Sequence, residues 1–302
     1  MNRPPGLALL AALATVAGAA VLAQVPVPPG TDIWLVPMPE GVGSLASTAP
    51  APLAVRPGYD NQPSFSPDGA RVYFTSSVDG AGTDAWEFTR ATGRLRPLWD
   101  TPDSEYSPTP APGGALSVIR VEADGTQRLW RYPLDGGEPR LILPDIKPVG
   151  YHAWVGDDHL ALFVLGDPNS LQVARVSTGQ GAVVARGVGR SLHRVPGTRL
   201  VSFIAEHDGA PWLSTVDVDS LTVTPLVQAV DGSQNHDYDW LPDGSGVLMS
   251  AGTRVHFWRR GQAAWTPAFD GASRGLGALS RLAVSPSGDA VAIVADEARG
   301  PR

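Results

Sequence analysis

One short pattern returns about six times along this chain, and that recurrence limits its possible folds more than any other property. An aromatic or apolar residue leads into a turn rich in Pro, Asp and Gly, and a short hydrophobic strand follows. Phe65-Ser66-Pro67-Asp68-Gly69 precedes Val72-Tyr73-Phe74, and Trp240-Leu241-Pro242-Asp243-Gly244 precedes Val247-Leu248-Met249. Val284-Ser285-Pro286-Ser287-Gly288 precedes Val291 to Val294. Weaker copies begin at Thr109, Trp154 and His193, so successive anchors are about 39 to 47 residues apart. Each copy reads as a hairpin: Pro fixes φ, Asp accepts backbone N–H groups, and Gly takes the left-handed position.

A third strand follows the first five hairpins, as Asp84–Phe88, Arg128–Tyr132, Leu171–Val176, Trp212–Val216 and Arg254–Trp258. A fourth follows in most units, for example Arg140–Leu143 and Ala182–Val184. Long helical periodicity is absent, and 34 Gly with 29 Pro suit a chain crowded with turns. Four strands per unit at a fixed period predict an all-β, six-bladed β-propeller of four-stranded blades. A β-sandwich would also give many short strands but has no reason to repeat at one period. The last unit lacks its outer strands after Val294. Asp32–Val36 resembles the other third strands and Leu53–Val55 supplies a fourth, so the last blade is expected to be closed by an N-terminal strand.

These residues resemble the TolB-like propellers built from WD40-like repeats with a Ser-Pro-Asp-Gly signature. The signature stands as Ser66–Gly69 and is degraded at Leu241–Gly244 and Ser285–Gly288, while Asp32-Ile33-Trp34 matches the third-strand pattern. The resemblance covers about Thr31 to Glu297 and implies a six-bladed ring and an exported location. It leaves no room for the N-terminal α/β domain that accompanies the propeller in TolB, so it is a likeness of fold rather than of pathway.

Residues 1–23 read as a signal peptide, with Arg3, an apolar run from Leu7 to Leu22 and cleavage after Ala23; a membrane anchor is the alternative. Residues 24–302 then form the propeller, periplasmic or secreted, with no membrane span once the signal is removed. The absence of cysteine removes disulfides, thiolate ligands and a Cys nucleophile. A net charge of −7 argues against nucleic acid as a partner. The mature chain is expected to be monomeric.

Propellers bind at the mouth of the central channel, where the innermost strands begin. The candidate binding residues there are Asn61, Glu105, Tyr106, Tyr151, His152, Arg190, His193, His236, Asp237, Tyr238 and Arg281. His152, His193 and His236 share one side-chain parity when the repeats are aligned, which makes them candidate ligands for a divalent metal. Single histidines at blade edges also serve simply as hydrogen-bonding groups. Gly271-Ala272-Ser273-Arg274-Gly275 fits the nucleophile-elbow string, but no histidine follows it. The acidic turn Asp79–Asp84 lacks calcium-loop spacing. No complete catalytic constellation is present. The chain is therefore expected to be a non-catalytic module that binds a protein or peptide, with no cofactor required. The alternative is a metal-dependent propeller enzyme, a polysaccharide lyase or hydrolase that uses the channel histidines.

Overall fold

The Pro-Asp-Gly turns behave as their chemistry requires. The Ser66 hydroxyl donates to Asp68 Oδ1 at 2.5 Å, and that oxygen accepts from the Ala70 N–H at 3.0 Å. Gly69 takes φ 69°, where a side chain would be strained. In the degraded copy at Ser285, the carboxylate moves two positions along: Asp289 Oδ1 accepts from the Ser285 hydroxyl at 2.6 Å and from Ser287 at 2.8 Å. The Ser285 bond is the first reason that the Asp289 carboxyl is held down to a pKa of about 2. The two turns also meet. Arg90 donates to the Gly69 carbonyl at 3.0 Å and to Asp289 Oδ2 at 3.1 Å. A Cβ on Gly288 would lie 3.3 Å from Pro242, and one on Gly69 3.7 Å from Pro286, so the turn at Gly288 nests against the one at Pro242 and the turn at Gly69 against the one at Pro286.

The computed structural model describes residues 29–78, 80 and 82–297; the expected signal segment 1–23 lies outside them, as do Asp79 and Ala81 of the acidic turn. The chain opens with β1 (Thr31–Pro37), β2 (Pro39–Val42) and β3 (Ala51–Ala54). Next come β4 (Tyr59–Phe65), β5 (Arg71–Ser77), β6 (Asp84–Thr89) and β7 (Arg94–Pro97). The second group is β8 (Ser104–Ala111), β9 (Ala115–Val121), β10 (Gln127–Pro133) and β11 (Arg140–Ile142). The third is β12 (Val149–Val155), β13 (His159–Val164), β14 (Ser170–Arg175) and β15 (Gly181–Arg186). The fourth is β16 (Leu192–Arg194), β17 (Leu200–His207), β18 (Ala210–Asp217) and β19 (Val223–Gln228). The fifth is β20 (Tyr238–Trp240), β21 (Gly246–Ala251), β22 (Arg254–Arg259) and β23 (Thr266–Asp270). β24 (Leu279–Val284) and β25 (Ala290–Asp296) end the chain's strands.

This is an all-β propeller, but its strands do not fall into the six separate four-stranded sheets expected. Four sheets, β8–β11, β12–β15, β16–β19 and β20–β23, are separate, and the other paired strands form a single sheet of eight. In it β1 runs antiparallel to β25 from Thr31↔Asp296 to Pro37↔Ala290 and pairs β3 on its other side. One parallel pair, Thr31↔Tyr59, joins these strands to β4–β7. The physical reason is local: the chain enters β1 beside the start of β4, and the Thr31 N–H reaches the Gly58 carbonyl at 3.0 Å.

Apolar side chains pack between neighbouring sheets rather than in one central core, because every strand alternates its two faces. Phe163 and Val173 meet Val201 and Phe203, while Ile204 and Leu213 meet Trp240 and Val247. The two halves of the eight-stranded sheet also face each other: Ile33, Ala292 and Val294 pack on Phe65, Val72 and Phe74. Among the described residues no helix is long and apolar enough to cross a membrane.

The position of β1 makes it structural. Ile33 has no exposure and fills the layer against Phe74, whereas Val55, just after β3, is 42% exposed. Ile33→Ala is expected to lower the unfolding free energy by about 3 kcal/mol, and Val55→Ala to change it by less than about 0.5 kcal/mol. Denaturant unfolding of the two variants against the parent checks this contrast.

Candidate functional site

The innermost strands are bent where they approach the axis. Pro63 and Pro108 donate no hydrogen bond, and the ladders slip between Asn61 and Ser64 and between Tyr106 and Thr109. Gln62 and Ser107 take φ 57° and 53° at these bulges. The bulges tie neighbouring sheets together: Gln62 Oε1 accepts from the Ser107 N–H at 2.7 Å and from the Thr75 hydroxyl at 2.7 Å. β24 slips in the same way between Leu279 and Leu282, which aims Arg281 inward.

Two clefts result. The wider encloses about 1070 Å³ of open space, lined by Tyr59, Asn61, Tyr106, Gln127, Thr31 and Asp296 among others. The second encloses about 580 Å³ and is lined from β4, β8, β12, β16, β20 and β24 or the residues just before them, including His152, Ser191, His193, Asp237 and Tyr238. Gln62, Tyr151, Arg190 and Arg281 line both clefts and so stand between them. Arg281 donates to Asn61 Oδ1 at 3.0 Å and to the Tyr151 hydroxyl, and its guanidinium lies 5.1 Å from the Tyr151 ring centre. Arg190 makes a two-pronged bond to Asp237, at 3.2 and 2.7 Å, and Ser191 adds a third donor at 3.1 Å. Tyr59 is buried among these groups, which pushes its hydroxyl up to about 12.

The sequence-derived set thus divides. Asn61, Tyr106, Tyr151, Arg190 and Arg281 line the wider cleft, and His152, His193, Asp237 and Tyr238 line the second together with Tyr151, Arg190 and Arg281. Glu105 is not on the channel. It alternates with Tyr106 on β8, so it points into the seam between sheets and is fully buried. Thr101 donates to Glu105 Oε1, Oε2 has no partner, and burial raises the carboxyl to about 7. His236, at φ 51°, lines a different cleft with Gly187, Ile204 and Pro211.

The three histidines do not converge. His152 shares a 2.6 Å hydrogen bond with Ser117, which also accepts from Trp154 Nε1 at 2.9 Å, and burial depresses the imidazole to about 3, so it is neutral. His193 pairs with Asp239 at 3.1 Å. Among the described residues no three His, Asp, Glu or Cys side chains are grouped to hold a metal ion. A divalent metal held by His152, His193 and His236 therefore does not fit this geometry, because equal parity along a strand becomes equal direction only when the strands are free of bulges. The elbow string fails too: Ser273 sits in a 3-10 turn, Ala272–Arg274, and its hydroxyl donates to the Asp270 carbonyl at 2.8 Å.

The seam groups Gln62, Thr75, Ser107, Ser117 and Ser202 were absent from the sequence-derived set. Ser202 repeats the role of Ser117, accepting from Tyr238 at 2.9 Å and from Trp240 Nε1 at 2.8 Å in the next sheet. The Gln62-Pro63 and Ser107-Pro108 pairs at matching repeat positions were the legible signal.

No family model matches the chain, and no curated protein matches it. A solved structure described as a putative TolB from Agrobacterium tumefaciens superposes with a TM-score of 0.68 at 18% identity, covering 89% of this chain and 98% of that one. The fold is that of the TolB-like β-propellers. TolB from Acinetobacter baumannii gives a TM-score of 0.56 at 12% identity, over 90% of this chain and 65% of that one. An oligogalacturonate lyase in complex with manganese gives 0.50 at 17%, over 75% and 68%. In this TolB-like propeller, such identities speak for the fold alone.

Glu105 supplies a pH test. Well below pH 4.5, its carboxyl is protonated in both folded and unfolded chains; between 4.5 and about 7 the folded chain keeps the proton that the unfolded chain loses, because ionising it would place a charge at a buried site. Its contribution to stability therefore falls as pH rises through this window, by up to about 3 kcal/mol, and is level above it. Relative to the parent, Glu105→Gln is expected to gain stability progressively from pH 4.5 to 7. Urea unfolding across that range reads the difference, and parallel pH curves for the two proteins would refute it.

Proposed function

We propose that the chain is an exported TolB-like propeller that binds a protein or peptide segment at its channel mouth and is not itself catalytic. The observation that carries this reading is the wider cleft, where Tyr59, Tyr106 and Tyr151 surround two guanidiniums, Arg190 and Arg281. Tyr and Arg are the side chains that dominate binding at protein interfaces, because each combines a large contact area with directed hydrogen bonds.

In this reading the eight-stranded sheet is two blades, β24-β25-β1-β3 and β4–β7, which gives six blades and a ring closed by β1. Three observations support it: the halves touch through one strand pair, their side chains pack face to face, and the turn at Gly69 nests on Pro286 as Gly288 nests on Pro242. A periplasmic or secreted location rests on the apolar segment ending at Ala23 and on the fold. The metal-dependent alternative draws no support from the histidine geometry.

A random peptide display library panned against the purified mature protein, with turnover assays on peptides and pectin-like sugars in parallel, tests the proposal. Peptides captured by the parent should bind Tyr106→Ala at least about tenfold more weakly, the loss typical of an interface aromatic. Turnover of a sugar or peptide with no capture above background would replace this reading with an enzymatic one. Fractionation with N-terminal sequencing should place the mature protein outside the cytoplasm, beginning at Gln24.

A further inference from the structure

Arg281 is the guanidinium of the wider cleft that has no ion pair among the described residues. Of the two guanidiniums in the wider cleft, Arg190 is neutralised by Asp237 through two hydrogen bonds. The partners of Arg281 are a neutral amide oxygen of Asn61 and a neutral phenol, Tyr151. Asn61 is locked in the orientation that offers its oxygen, since its Nδ2 donates to the Thr31 hydroxyl at 3.2 Å and its Oδ1 also accepts from the Gln62 N–H at 2.8 Å. Tyr151 is braced edge-on by Phe163, with ring centres 5.9 Å apart.

The second partner has a structural consequence. Arg281 is on β24 and Tyr151 on β12, and in the six-blade ring proposed above these strands lie three places apart in either direction, on opposite sides of the axis. Their bond therefore crosses the channel. Both residues line both clefts, which places this crossbar at the partition between the two. A guanidinium offers five N–H donors in a flat fork, and a carboxylate engages two of them with charge assistance, a stronger bond than one to a phenol oxygen.

We propose that Arg281 is the anchor for a peptide carboxylate entering the wider cleft, and that its bond to Tyr151 is a latch which this carboxylate displaces. Displacement frees the Tyr151 ring and joins the two clefts into one channel. A peptide suits the site better than a polyanionic sugar because the same cleft carries one carboxylate, Asp296, that no ion pair holds among the described residues, so charges of both signs await partners. The inference rests on the peptide-binding reading and adds the group that is recognised.

Three small probes test it on the mature protein: N-acetylglycine for a chain-terminal carboxylate, the α-amide of N-acetylaspartate for a side-chain carboxylate, and N-acetylglycinamide as the neutral control. The readout is the Arg281 Nε–H resonance in side-chain NMR titrations, assigned by its loss in Arg281→Lys. At least one acid should shift it saturably and the neutral amide should not, and the acid that binds identifies the source of the carboxylate. Affinity, followed for the variants by calorimetry, should fall about tenfold or more in Arg281→Gln, fall less in Arg281→Lys, and rise severalfold in Tyr151→Phe, where no hydroxyl competes for the fork. A purely structural role for the pair would instead weaken binding in Tyr151→Phe. That result, or unchanged acid binding in Arg281→Gln, or no shift with either acid, overturns the inference. Library peptides that bind Arg281→Gln as well as the parent would overturn it while leaving peptide binding in place. Acid binding at Arg281 without peptide capture would overturn peptide binding instead.

Discussion

The pairing of β1 with β25 is the contact on which the rest of this structure depends. Without β1, β25 would end as an open edge, and an open edge exposes a row of unpaired N–H and C=O groups. Here seven consecutive residue pairs, Thr31↔Asp296 to Pro37↔Ala290, satisfy those groups with strands from opposite ends of the chain. The pairing is apolar on both faces. Ile33 packs toward Phe74 and Phe65, and Val36 packs with Val291, Ile293 and Phe269 on the other side. Holding β24 and β25 beside β4 in turn brings Arg281 within reach of Asn61.

Between sheets, a second device recurs. A small hydroxyl on the second strand of one sheet accepts hydrogen bonds from large side chains on the first strand of the next, as Ser117 does for Trp154 and Ser202 for Tyr238 and Trp240. Ser117 and Ser202 have no exposure, and Tyr238 and Trp240 are buried, so these hydroxyls sit where water competes little and where an unpaired group would be costly. The bonds tie neighbouring sheets together along the seam. His152 belongs to this seam chemistry through Ser117, which is why a residue at a promising channel position is neutral and already engaged.

Much of the architecture was legible in the sequence because its determinants are local. The Pro-Asp-Gly turns, the alternation of the third strands and the unmatched segment Asp32–Val36 each depend on a few adjacent residues, and β6, β10, β14, β18, β22 and β1 lie where those segments predict. Of the candidate residues, Asn61, Tyr106, Tyr151, Arg190 and Arg281 line the wider cleft. Direction was not legible. Glu105 and Tyr106 are adjacent, and strand alternation puts one sealed in a seam and the other toward the channel; which of the two faces the seam is set by how neighbouring sheets pack.

The sequence by itself determined the class of fold, the positions of nearly all strands and the strand that completes the terminal sheet. The tertiary structure decided which side chains meet. Whether His152, His193 and His236 converge, and whether Arg281 reaches Tyr151, depends on bulges that reverse side-chain parity and on the angle between sheets. Those quantities are summed over residues far apart in the chain, up to 130 positions for Arg281 and Tyr151, and no local pattern encodes them.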